Sequence, residues 1–161
     1  MKLSAPEKEK LKTDNKYITL SCLYDANSDW KNNFKYINKA ASKYEEIKEK
    51  YKEKKGREYV EAIESLIVSY NALGALEYKN KQFNDADKQY NKAEIVAKEL
   101  KKIEPAGDKE LEELIKRSNN YMAVVFNNKG LIYFNEKNIK CARKYLEKAL
   151  QYQKEDRKSV V

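Results

Sequence analysis

FNNKGLIYFNEKNIKCARKYLEKALQY, Phe126 to Tyr152, decides the fold. Its large apolar and small residues recur at spacings of three and four, as Phe126, Gly130 and Tyr133 and then Ile139, Ala142, Leu146 and Ala149, which sets each group on one face of a helix. The pattern is interrupted once, by the polar turn around Glu136-Lys137. The stretch therefore reads as two amphipathic helices in a tight hairpin, with Gly130 and Ala142 as the small residues where they meet. Small side chains let two helix backbones approach; large ones fill the space between pairs.

The same spacing occurs twice upstream. The second helix of each pair places large, small, large and small residues at offsets of 3, 4 and 3. These are Trp30/Asn33/Ile37/Ala40, Phe83/Ala86/Tyr90/Ala93 and Ile139/Ala142/Leu146/Ala149. The first helices match as Tyr17/Leu20/Ser21, Tyr70/Leu73/Gly74 and Phe126/Lys129/Gly130. From Asn33 to Ala86 is 53 residues, and from Ala86 to Ala142 is 56. The residues between copies continue the helical stripes: Tyr44, Ile47 and Tyr51 leave one copy, and Tyr59 and Ile63 enter the next.

Working outward, six helices are expected, over about 4–26, 29–54, 57–79, 82–102, 108–135 and 138–155. Ser4, Pro6 and Glu7 suit a capped start. Lys54-Lys55-Gly56 suits a helix end, with Gly56 available for a left-handed cap. Pro105-Ala106-Gly107 is the clearest breaker. Ser118-Asn119-Asn120 is the weakest point of the fifth helix, which would be about 40 Å long. The tail 156–161 is expected to fray.

The 161 residues suit a single domain, 1–161. With 41% apolar and 37% charged residues, the chain can fill a core under a heavily ionised surface. Four Gly and two Pro leave little punctuation for an all-β fold. The net charge of +8 raises nucleic acid as a partner. The charges alternate in sign along helices, as in KYEEIKEKYKEKKGREY (43–59), which favours solvated faces with i,i+4 pairs.

The chain has no His, and only two Cys, Cys22 and Cys141. The commonest general base and metal ligand is thus absent, and neither a disulfide framework nor metal-ligand spacing is present. The cysteines read as packing residues. Glu45/Glu46 and Glu112/Glu113 are i,i+1 neighbours and form no acid–base pair. No phosphate loop or nucleophile elbow occurs, so the expectation is a non-enzymatic protein without cofactor or metal. No apolar run approaches the roughly 20 residues of a membrane span, and no signal peptide is visible; a cytoplasmic location and no membrane partner are expected.

The repeated unit resembles the tetratricopeptide repeat, a helix–turn–helix of about 34 residues, with copies at about 14–47, 67–100 and 123–156. Ser21 and Asn33 depart from the family's small residues, and Glu77 and Lys129 from its apolar positions. The resemblance implies an all-α fold, a right-handed superhelical stack of three long antiparallel helix pairs. It also implies a concave groove, lined by the first helix of each pair, that binds a peptide or partner helix. Carried over by position, the groove residues are Asn15, Ile18, Cys22 and Asp25, then Val68, Asn71, Ala75, Tyr78 and Lys79, then Val124, Asn127, Leu131, Phe134 and Asn135. Asn71 and Asn127 hold one repeat position, and as donor-acceptors they could clamp an extended backbone; solvated Asn is the plainer reading. The family's chaperone-tail clamp needs Lys, Asn and Arg side chains where this chain has Ile18, Cys22, Ala72, Val124 and Asn128. That activity is not expected.

Two further surfaces suggest themselves. A stack ordinarily covers its last repeat with a polar-faced helix; without one, Ile139, Leu146 and Leu150 would present an apolar strip for self-association, giving a homodimer, or for a partner. The ending Ser159-Val160-Val161 fits a loose carboxylate-capture ligand. The alternative class is a basic nucleic-acid-associated regulator using Lys-rich outer faces.

Overall fold

The structure, a computed structural model, describes residues 30–158, with side chains to Lys154. Five α-helices follow one another: α1 (Trp30–Tyr51), α2 (Arg57–Lys79), α3 (Phe83–Lys98), α4 (Lys109–Asn135) and α5 (Ile139–Lys158). The end of α3 tightens into a 3-10 turn, Glu99–Lys102. No strand occurs among the described residues, and the fold is all-α there. The expected helix at 4–26, with its cap at Ser4 and its groove residues Asn15, Ile18, Cys22 and Asp25, lies outside the described residues, as does Ser159-Val160-Val161.

Each helix packs on the next, and α2 also lies side by side with α4. The core sits between these layers. Val60, Ile63, Leu66 and Ile67 of α2 meet Tyr90, Ala93 and Val96 of α3, and Met122, Val125, Phe126 and Ile132 of α4. Each such aliphatic side chain contributes about 1.5–3 kcal/mol by leaving water. The residues between copies pack as their stripes require: Leu100 and Ile103 are buried in one cluster with Leu111 and Leu114.

Local chemistry sets the boundaries. Pro105 cannot continue a helix; Ala106 (φ 50°) and Gly107 (φ 87°) turn the chain left-handed, and the Asp108 carboxylate then caps α4 by accepting from the Leu111 N–H at 3.1 Å. Gly56 is not the left-handed residue after α1. Lys55 is (φ 45°), and Gly56 is extended at the start of α2. The left-handed residue falls one position earlier than glycine's freedom suggested, and α1 ends at Tyr51, three residues before the expected 54. Helix α4 runs unbroken through Ser118, whose hydroxyl donates to the Leu114 carbonyl at 2.8 Å. Helix α5 extends to Lys158.

The two hairpin turns are the same turn. Asn80 N–H donates to the Leu76 carbonyl, Lys81 to Tyr78, Gln82 to Glu77 and Ala86 to Gln82. Displaced by 56 residues, Glu136 donates to Ile132, Lys137 to Phe134, Asn138 to Tyr133 and Ala142 to Asn138. Lys81 and Lys137 adopt the same left-handed conformation, φ 61° and 60°. A side chain there is strained by about 1 kcal/mol. Lys81→Gly and Lys137→Gly should each raise stability by about 0.5–1 kcal/mol in denaturant titrations; a loss would mean that the lysine side chain holds the turn.

Helix α1 is tied to the rest through Glu99. The Tyr59 hydroxyl and the Lys48 ammonium, the latter at 3.0 Å, both donate to its carboxylate. Burial alone would push this carboxyl up, but the two hydrogen bonds and the Lys48 charge outweigh it and hold it below the usual carboxylate range. A depressed folded-state value means stability that is present above the ordinary Glu range and lost as pH falls through the folded value. Glu99→Gln should therefore lower stability at pH 7 and flatten the acid limb of the pH–stability curve. An unchanged acid limb would show that Glu99 is not the tie.

Candidate functional site

Helices α2 and α4 run parallel, and three polar ties cross between them. The Arg117 guanidinium meets the Glu64 carboxylate in a bidentate pair at 2.6 and 2.8 Å. The Asn128 amide donates to the Asn71 side-chain oxygen at 2.8 Å. The Asn135 amide donates to the Tyr78 hydroxyl. The α2 partners, 64, 71 and 78, recur every seven residues, two helical turns apart, and so form one line along the helix.

These ties divide the expected groove residues. Asn71 and Tyr78 are engaged by α4, with Asn135 as the donor to Tyr78. Asn71 is paired with Asn128 and not with Asn127, its equivalent in the repeat. A free Asn71/Asn127 clamp is thus not what the side chains form. Val68 and Val124, at equivalent positions 56 residues apart, are both exposed, at 41% and 47%, and Tyr121 stands beside Val124 on α4 at 38%. Ala75 is half-buried and Lys79 exposed. Asn127, Leu131 and Phe134 are exposed on α4, Phe134 at 62%. The outer strip expected on the last helix is present: Ile139, Leu146 and Leu150 all retain exposed surface.

Two lysine arrangements carry more of the structure than their charge suggested. Lys129, in an expected apolar position, is 1% exposed. Its ammonium is held by the Asn91 side-chain oxygen and by Glu94 at 3.3 Å, with Asp87 at 3.9 Å, and it lies 4.4 Å from the centre of the Tyr145 ring. Lys92 covers Tyr70 (5.6 Å to the ring centre), and 56 residues on Lys148 covers Phe126 at 5.2 Å. The signal was available in the alignment of the copies, where each lysine lies 22 residues after its ring. Tyr133, stacked on Tyr145, is pushed up to about 12, first by burial and then by nearby Asp87. Glu77, also in an expected apolar position, is buried with one carboxylate oxygen unpartnered, and burial pushes it up.

Among the described residues, no three His, Cys, Asp or Glu side chains gather as a metal donor set, and no helix is long and apolar enough to cross a membrane. Cys141 is a free thiol, half-buried at the start of α5. A shallow polar depression beside the two hairpin turns is lined by Lys81, Gln82, Phe83, Asn84, Asp85 and Glu136. What the site offers is an extended surface: an α2–α4 face bearing Val68, Tyr121 and Val124, joined at its edge to the apolar ridge Leu131/Phe134.

Compared with protein-family models, with curated proteins and with solved structures, the chain matches none.

Proposed function

We propose that the protein is a non-enzymatic protein-interaction scaffold of the tetratricopeptide-repeat type, a superhelical stack whose concave α2–α4 face receives a peptide or partner helix. The observation that carries this reading is the exposed pair Val68/Val124 with Tyr121, at repeat-related positions on two parallel helices locked in register by the Glu64–Arg117, Asn71–Asn128 and Tyr78–Asn135 ties. A rigid platform with exposed apolar and aromatic side chains favours protein binding, because its groups lose little freedom when a ligand arrives. The family resemblance supports it through the shared turn and the equivalent Gly74 and Gly130.

A basic nucleic-acid-associated regulator is the second reading, and one observation favours it. The outer helices repeat a lysine pair, Lys35/Lys39, Lys88/Lys92 and Lys144/Lys148, in a chain of net charge +8. Against it, Lys92 and Lys148 are spread over aromatic rings, and Lys88 pairs with Asp85 at 2.8 Å.

Affinity capture with mass spectrometry tests the first reading, comparing wild type with Val68→Asp/Val124→Asp. The double variant should lose its specific proteins while keeping its helical circular dichroism; an unchanged set would sink the site. For the second reading, binding of a single-stranded oligonucleotide should weaken steeply with salt.

A further inference from the structure

The α2/α3 pair and the α4/α5 pair are built alike, and the first displays what fits against the second. The floor between α2 and α3 is Gly74 against the Tyr90 ring, and α4 lies over these helices. It is held on one side by Asn71 and Tyr78 and on the other by the Asp87/Asn91/Glu94 cluster around Lys129. The floor between α4 and α5 is the same, Gly130 against Leu146. At 100° per residue, Asn127, Leu131 and Phe134 form its α4 wall. Ile139, Arg143 and Leu150 form the α5 wall. No described helix covers this groove, and Phe134, Ile139 and Leu150 are left 62%, 55% and 54% exposed.

The groove does not call for a second α4. At the places of Asp87, Asn91 and Glu94 it carries Arg143, Glu147 and Leu150. The acids that hold the Lys129 ammonium have become a base and an apolar side chain, with one acid at the asparagine position. Both signs now lie on one helix face, one turn apart, between apolar ends at Ile139 and Leu150. Laid antiparallel across a two-fold axis, α5 of a second copy brings its Glu147 to Arg143 and its Leu150 to Ile139, and the reverse. Such reciprocity is what an isologous interface requires.

We infer that this end is the interface of a two-fold homodimer, formed by antiparallel α5 helices, with Phe134 and Leu131 covered at its edges. The inference goes beyond the peptide-binding reading and stands apart from it, since that reading uses Val68 and Val124.

The test is charge reversal followed by mixing. Wild type, Arg143→Glu and Glu147→Arg are examined separately by sedimentation equilibrium, and then the two variants together. Both positions are exposed, so helicity should be unchanged. Wild type should dimerise. Each variant alone places like charges opposite one another twice and should dimerise about tenfold or more weakly. Their equimolar mixture should recover dimer, because each variant supplies what the other lacks. A wild type that stays monomeric at several hundred micromolar would overturn the inference and leave the groove to another protein's helix. A dimer indifferent to both reversals would place the interface elsewhere, and a mixture that stays monomeric would exclude the two-fold pairing.

Discussion

Lys129→Met should cost the fold about 2–3 kcal/mol, a fall in Tm of about 5–10 °C for a chain of this size. Methionine nearly preserves the side-chain length, so the loss is electrostatic. The ammonium is 1% exposed and sits among Asn91, Glu94 and Asp87. Removing it leaves two carboxylates turned inward without their cation. The cost stays below the roughly 3–5 kcal/mol of a fully buried pair, because Asp87 and Glu94 keep 25% and 19% of their side-chain surface and Glu94 retains Lys148 at 3.8 Å. The equivalent residue one copy earlier is Leu73, fully buried without a charge. Adding Asp87→Asn and Glu94→Gln to Lys129→Met should therefore restore most of the loss. A single variant as stable as wild type would show that the cluster contributes no net attraction.

Gly74→Ala and Gly130→Ala are chemically the same change at equivalent positions, and their outcomes should differ. A Cβ at 74 would stand 2.5 to 2.9 Å from three atoms of the Tyr90 ring, which is 1% exposed and packed on all sides. Overpacking at the upper end of its usual range, about 3 kcal/mol, outweighs the roughly 1 kcal/mol that Ala gains over Gly in a helix. The net loss is about 2 kcal/mol. A Cβ at 130 would meet Leu146 at 2.9 Å, but that side chain is 37% exposed and can rotate outward. Gly130→Ala should be neutral or slightly stabilising in chemical denaturation of the monomer. Equal losses at both positions would mean that Leu146 is held as tightly as Tyr90.

The helices were legible where backbone chemistry is local. Pro105, Gly107 and Asp108 mark a boundary whatever the tertiary structure does, and α2 begins and ends where Gly56 and Asn80 place it. The left-handed residues were less so, because Lys55, Lys81 and Lys137 accept a strained φ that the next residue's role in the following helix imposes. The candidate site was only half legible. Alignment of copies finds residues that are equivalent; it does not find residues that touch. Asn71 and Asn127 are equivalent, but the parallel packing of α2 on α4 brings Asn128 to Asn71, one residue further on. Lys129 was visible only as a departure from an apolar pattern. Its carboxylates come from a different helix at a separation that no helical periodicity encodes.

The unequal enclosure of the helices has a kinetic consequence. Helix α2 is flanked by α1, α3 and α4, whereas α5 packs chiefly on α4. Amide protons should therefore exchange with solvent in order of enclosure, with the outer helices α1 and α5 opening before α2, which stays near the limit set by global unfolding. Whatever settles against Leu146 and Leu150 would slow exchange along α5 ahead of any other segment, reporting occupancy of that end without any label.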